Sequence, residues 1–468
     1  LKVTAHFSDG IKRDVTPWAK FDSTDASIAI VDEKTGVTEV IGFGQGAITA
    51  WYSGRIAIAR LTSPWLNKIP TEVYTKAEQT NLIDQYVIAQ LRQLNLKPSP
   101  TCTDSEFIRR IYLDVIGVLP TTKETRDFLA NKAKDKRAKL VDQLLARPEF
   151  VDYWTYRWAD MFLISGKKLR PNAMKAYYQW LRGEIAKNTP WDQLVRQVLT
   201  ARGDSMENGA TNFYAVHQEP ETMAENVSQA FMSLSINCAK CHNHPLEKWT
   251  NDQYYAFANL FARVRFKGWG GDPRNGDGKR TLFVTARGEL RQPRTGKPQP
   301  PAPLDGQVIN DPQTDRREVL AGWLTSPDNP YFTRSIANRV WANFFGQGIV
   351  DPVDDLRVSN PATNEPLLQA LADHLTKNKY DLKSLMRLIL TSQTYSRSST
   401  PLPENIDDTR YYARYYPRRL MAEVLQDAIT SVTQVNPKFA NITLFDGSTA
   451  KTDFYKDGTR ALQLFDSA

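Results

Sequence analysis

The string Cys238-Ala239-Lys240-Cys241-His242-Asn243-His244-Pro245 holds two of the three cysteines and two of the five histidines in this 468-residue chain. Two thiols three positions apart on one helical turn can add to the two vinyl groups of a single haem. The histidine that follows then lies beneath the iron as proximal ligand, so Cys-x-x-Cys-His is the pattern of c-type haem attachment. With so few cysteines and histidines in the chain, a chance match to that pattern is on the order of one in ten thousand. The expected cofactor is haem c, carried by Cys238, Cys241 and His242. Three other readings stay open. Cys238, Cys241, His242 and His244 could bind a structural zinc ion, although adjacent Cys241 and His242 would both have to reach one tetrahedral metal. The pair could be a redox dithiol or a disulfide, but that motif belongs in a βαβ setting and the flanks here read as helical. Or the motif is structural and holds no cofactor.

Haem iron takes a second ligand on its far face or leaves that position open to peroxidase-like or sensing chemistry. His217 and Met223, upstream of Cys238, are the candidates for the distal position; each also reads as an ordinary surface histidine or core methionine. His244, two residues past His242, is badly placed to swing round and is expected to bond a haem propionate or tune the site. Trp249, Tyr254 and Tyr255 could pack on a porphyrin or belong to the core.

A second constellation gathers Asp351, Asp354 and Asp355 with Arg334, Arg339 and Arg357. Paired carboxylates suit general acid–base hydrolysis; the alternative is a buried ion-pair network joining a helix to a loop. The chain contains no G-x-S-x-G, Walker loop or H-E-x-x-H, which removes the commonest hydrolase, nucleotide and zincin readings.

The elements that must position these residues divide the chain. At 468 residues it exceeds one ordinary core, and 41% apolar with 24% charged residues excludes disorder. No run approaches 18 apolar residues, so nothing is expected to span a membrane. A net charge of +8, from 60 basic and 52 acidic residues, is mild and comes without an Arg/Lys block, so no nucleic acid is expected as partner. Three cysteines cannot build a disulfide scaffold, and Cys102 is either buried and inert or paired between chains. Residues 1–64 read as an all-β sandwich. Leu1, Val3, Ala5 and Phe7 alternate with polar residues, and short apolar runs at 28–31, 37–41, 47–52 and 56–61 are punctuated by glycines. After a linker, residues 75–266 turn helical, with capping boxes expected at Thr75/Glu78, Thr103/Glu106, Thr121/Glu124 and Thr250/Gln253. Residues 267–315, with Gly268, Gly270, Gly271, Gly276, Gly278 and five prolines between Arg291 and Leu304, read as an irregular connector laid over a domain surface, with a hairpin through Leu282-Phe283-Val284. Residues 316–468 are helical again.

Residues 83–266 resemble the planctomycete cytochrome-like domain of unknown function. Ile83-Asp84, Arg109-Arg110, Leu113-Asp114 with Gly117, Cys238 to Pro245, Trp249-Thr250 and Tyr254-Tyr255 carry the likeness. Residues 316 to about 435 resemble its usual companion domain, through Asn338-Arg339-Val340-Trp341, Phe345-Gly346, Gly348-Ile349-Val350, Asp354-Asp355, Ser392 to Tyr395 and Arg418-Arg419-Leu420. Phe7-Ser8-Asp9-Gly10, Asp14-Val15-Thr16 and Gly36-Val37-Thr38 resemble the bacterial Ig-like group 2 domain, a module of exported proteins. The resemblance implies a strand before Leu1, a chain that continues past Ala468 and an export signal upstream.

The expected protein is multidomain, an Ig-like β-sandwich ahead of a mostly helical body. It is a periplasmic or cell-surface c-type cytochrome-like protein that transfers electrons or carries out haem-dependent oxidation, with a redox protein or a cell-surface polysaccharide as partner. The competing expectation is a non-redox scaffold that binds glycan or protein, whose Cys/His cluster is structural or holds zinc.

Overall fold

The computed structural model describes residues 1–268, 278–311, 313–444 and 446–466. The N-terminal unit is all β. Strands Thr4–His6 and Lys12–Asp14 pair with each other, as do Ala29–Val31 and Thr38–Val40. The long strand Gly44–Tyr52 runs between Lys20–Ser23 and Arg55–Ser63, and every pairing is antiparallel. Ser53 and Gly54 close the long hairpin, both with positive φ, as a two-residue turn matched to strand twist requires. Phe21, Ala29, Ile48 and Ala50 form a small core, and Gly36 lies flat on the Phe21 ring, where a Cβ would come within 2.8 Å of Cζ. Leu1 and Phe7, expected to face a core, are exposed, because the first strand pairs over only three residues. Lys12–Asp14 and Lys20–Ser23 had no alternating apolar signature to reveal them.

From Thr71 onward the chain is mostly helical. Thr121 and Thr250 make the reciprocal capping boxes expected of them. Thr103 caps helix Asp104–Ile116 through Glu106 N–H, but the Glu106 carboxylate turns instead to Arg110, 2.5 Å away. Thr75 starts no helix: it ends the short helix Thr71–Thr75, and helix Leu82–Leu94 begins from Asn81 with Asp84 completing the box. Asn caps as well as Thr, and Asp84 is held in place by more than its own helix. Its carboxylate also accepts Thr394 N–H and Oγ1–H at 2.8 and 2.7 Å and Gln393 N–H at 3.0 Å.

That contact is one of several that join the two helical halves. Asp114 accepts the hydroxyls of Tyr395 and Tyr415 and the Arg418 guanidinium at 2.8, 3.1 and 2.6 Å. Arg110 donates to the carbonyls of Tyr395 and Arg397. One apolar cluster runs from Tyr74 to Leu462, so the halves share a core. The β unit docks on this body through Gln45 N–H to the Tyr411 hydroxyl at 2.6 Å, an Arg410–Asp25 pair and an Arg60–Glu365 pair. Cys102 is buried and unpaired, and burial pushes its thiol up.

The connector forms more structure than its composition promises. Arg280–Val284, the expected hairpin strand, is central in a three-stranded sheet between Gly203–Asp204 and Val264–Gly268. Gly270, Gly271 and Gly276 lie outside the described residues. The proline-rich stretch is laid over helix Asn251–Ala258: Ala302 N–H donates to Ala256 O, and Asn259 Nδ2 donates to Leu290 O and Gln299 O. Among the described residues no helix is long and apolar enough to cross a membrane.

Candidate functional site

Helix Pro220–Met232 ends at Ser233 in the left-handed conformation, and the chain then tightens into a single 3₁₀ turn, Asn237–Lys240, with Cys241 as its cap. Cys241 N–H donates to Cys238 O at 3.4 Å. Side chains three apart eclipse in a 3₁₀ turn, so the two thiols project from one face, and both are exposed and unbridged.

The turn is anchored from below. Asn251, the first residue of the helix that follows, is buried and donates both amide hydrogens, to Ala239 O at 2.8 Å and Lys240 O at 2.9 Å. Its own N–H goes to the Asn243 side chain at 3.0 Å, and its Oδ1 accepts Gln292 Nε2 at 2.5 Å. Asn243, Asn251 and Gln292 were not anticipated as site residues. The Thr250 capping box places Asn251 in a first helical turn, but no local pattern says which carbonyls its amide will bind.

The two histidines have different surroundings. His242 is exposed, and its Nδ1 lies 2.8 Å from Asn243 O. A carbonyl only accepts, so Nδ1 carries the proton and Nε2 keeps a free lone pair. A histidine whose other nitrogen donates to a carbonyl is the usual arrangement of a metal ligand. His244 Nδ1 instead accepts Leu246 N–H at 3.1 Å, which puts the proton of the neutral ring on Nε2. Burial holds His244 below the ordinary histidine range. The Ser235 main chain opposes that shift, and the Arg357 and His242 charges reinforce it.

The companion half supplies one wall. Val358 N–H donates to Glu247 Oε1 at 2.7 Å, Ser359 Oγ to Leu246 O at 3.2 Å, and Leu356 N–H to Ser233 O at 2.8 Å. Leu246 and Val358 are 42% and 43% exposed, an apolar rim beside the thiol-bearing turn. Burial raises the Glu247 carboxyl above its ordinary range, against the Val358 and Lys248 N–H groups.

The remaining candidates separate. Met223 is 1% exposed in the shared core, while the thiols are on the surface. His217 is half-buried, and burial lowers its pKa while Glu225 pulls the other way. Glu225 accepts the Tyr254 hydroxyl at 2.6 Å and also acts electrostatically on Tyr255, which feels Cys241 in turn. Trp249, Tyr254 and Tyr255 are all buried, with Trp249 against the Tyr331 ring, so they build the floor and not an exposed stacking surface. Of the acidic constellation, Asp355 pairs with Arg357 at 3.1 Å, while Arg334 turns away to Glu365 at 2.6 Å. Arg339 donates to Gln229 O at 3.0 Å and lies in the field of Asp354. Among the described residues no group of three or more His, Cys, Asp or Glu is gathered as a metal site; the four zinc candidates are adjacent in sequence without converging.

Fold and site together define a multidomain chain: an all-β unit, then a helical body that carries Cys-x-x-Cys-His on an exposed turn. Residues 82–266 match the family model PSCyt2, described as a protein of unknown function (DUF1549), and residues 316–460 match PSD1, likewise of unknown function (DUF1553). The chain carries these two domains in that order. No curated protein and no solved structure matches it.

Proposed function

We propose that this is an exported c-type cytochrome-like protein, of planctomycete type, that binds one haem and passes electrons to a redox partner at the periplasmic or outer cell surface, with its β unit serving as an Ig-like spacing module. The observation that carries the reading is the 3₁₀ turn: it presents the Cys238 and Cys241 thiols on one exposed face, followed at once by a histidine whose Nδ1 is committed to Asn243 O. Those residues fit haem c. Cys238 and Cys241 would hold it by thioether bonds and His242 Nε2 would bind its iron. When bound, the haem supplies a one-electron iron couple.

The chain's own residues do the rest. Asn251 fixes the turn by its two carbonyls, so the thiol spacing does not depend on the cofactor. Leu246 and Val358 offer apolar surface beside it. His244, with Nδ1 occupied by Leu246 N–H and the Ser235 main chain on its protonated side, is suited to support the turn and not to ligate. His217 is favoured over Met223 as a second iron ligand, because it is partly open while Met223 is buried in the core.

The test is an optical spectrum of protein made in a host competent for c-type maturation. A Soret band and a c-type pyridine haemochrome are expected; a colourless protein from that host would refute the reading. His242→Ala should keep the covalent haem but shift its spectrum and potential, while His244→Ala should do less.

A further inference from the structure

A second cavity lies between the two family domains. It has a volume of about 500 Å³ and is bounded by helix Pro148–Met161 on one side and helix Phe332–Phe345 on the other, with Val353, Met421 and Glu423 at its ends. It falls in the size range of small-molecule pockets. Its walls combine the aromatic surface of Trp154 and Trp158 with polar groups left without partners.

Asn343, on that wall, is 5% exposed, yet neither its Oδ1 nor its Nδ2 has a hydrogen-bond partner. A buried amide with both ends unmet calls for an explanation, since such groups are nearly always satisfied. Arg339, also on the wall, has an unpartnered Nε and donates only to a main-chain carbonyl. Arg157 donates to the Met421 thioether sulfur at 3.1 Å, a weak acceptor for a guanidinium. Among the described residues neither arginine has a carboxylate within ion-pair distance, although Asp354 and Asp160 act on Arg339 electrostatically from further off. Two carboxylates line the cavity as well, Glu423 and the exposed Asp160, so an anion there must be held by the arginines against them. Arg339 and Gly346 belong to the stretches that carry the companion-domain likeness, and the proposed haem site uses neither.

Guanidinium forks without a carboxylate in direct contact are matched by planar or tetrahedral oxyanions. We propose that this interdomain cavity binds a small polar ligand bearing a carboxylate, sulfate or phosphate, the oxyanion held between Arg157 and Arg339 and a neighbouring hydroxyl or amide paired with Asn343. The oxyanion could be part of an organic ligand or a free inorganic ion; the shared chemistry is the two-arginine clamp.

The test is isothermal titration calorimetry of the full chain with glucuronate, inorganic sulfate and inorganic phosphate, and with glucose as the uncharged control. One saturable site for at least one anion is expected, with glucose silent. Binding of glucuronate alone assigns the organic source, and binding of sulfate or phosphate the inorganic one. Arg157→Gln and Arg339→Gln should each weaken binding by at least about tenfold, the scale of one lost hydrogen bond to a charged group. Arg157 is partly open, so its variant decides the matter should the Arg339 variant fail to fold. No anion binding by the wild type, equal binding of glucose, or unchanged affinity in Arg157→Gln overturns the proposal.

Discussion

Replacing Asp114 by Asn should loosen the joint between the two family domains. Asp114 is 5% exposed and its carboxylate takes three donors from the companion half: Arg418 at 2.6 Å, Tyr395 at 2.8 Å and Tyr415 at 3.1 Å. The amide is nearly isosteric and can still accept a tyrosine hydroxyl, but it leaves the largely buried Arg418 guanidinium, whose side chain is 25% exposed, without its counter-charge. Breaking one partner of a buried pair costs about 3–5 kcal/mol. At about 2 °C per kcal/mol for a body this large, that is a fall in Tm of roughly 6–10 °C. The matched control is Asp142→Asn. Asp142 meets Arg387 at 2.6 Å with both side chains about half exposed, so its loss should be about 0–1 kcal/mol. Urea and thermal unfolding of the three proteins measure the difference. An Asp114→Asn protein within about 1 kcal/mol of wild type, or equal losses in the two variants, would show that the joint does not rest on this carboxylate.

Other outcomes follow from the same structure. Burial keeps the folded-state pKa of His244 below 6.5, so the unfolded chain takes up that proton first. Its contribution to stability is complete above about pH 6.5 and shrinks as pH falls below it, so His244→Asn should lose less Tm than wild type between pH 7 and pH 5; equal losses would contradict this. Asn81→Ala should cost about 1 kcal/mol in urea unfolding, since Asn81 and not Thr75 caps helix Leu82–Leu94. Met223→Ala should lower stability by about 2–5 kcal/mol and leave a haem spectrum unchanged, whereas His217→Ala should change the spectrum; the reverse pattern would reassign the distal position.

What could be read in advance depended on how local the signal was. The Thr121 and Thr250 boxes are settled within four residues, and they appear as read. Thr75/Glu78 had the right residue types, but Asn81 and Asp84 compete for the same start, and Asp84 is fixed by Gln393 and Thr394, more than 300 positions away. The β unit shows the same limit: Lys20–Ser23 becomes a strand because Gly44–Tyr52 pairs with it. At the candidate site, the cysteines and His242 stand out by type and spacing. The wall from Val358 and Ser359 does not, being about 110 residues further on. Several motifs that carry the family likeness, Asp84, Arg110, Asp114, Tyr395 and Arg418, serve as joints between the halves.

The central claim concerns two thioether bonds, and intact-protein mass spectrometry reads them directly. The wild-type chain and the Cys238→Ala/Cys241→Ala double variant should be compared after expression with c-type maturation machinery and denaturation in acid. Covalent attachment survives unfolding, whereas a merely ligated haem is lost. The wild type is predicted to carry the added mass of one haem and the double variant none. A wild-type chain at its unmodified polypeptide mass would contradict the account.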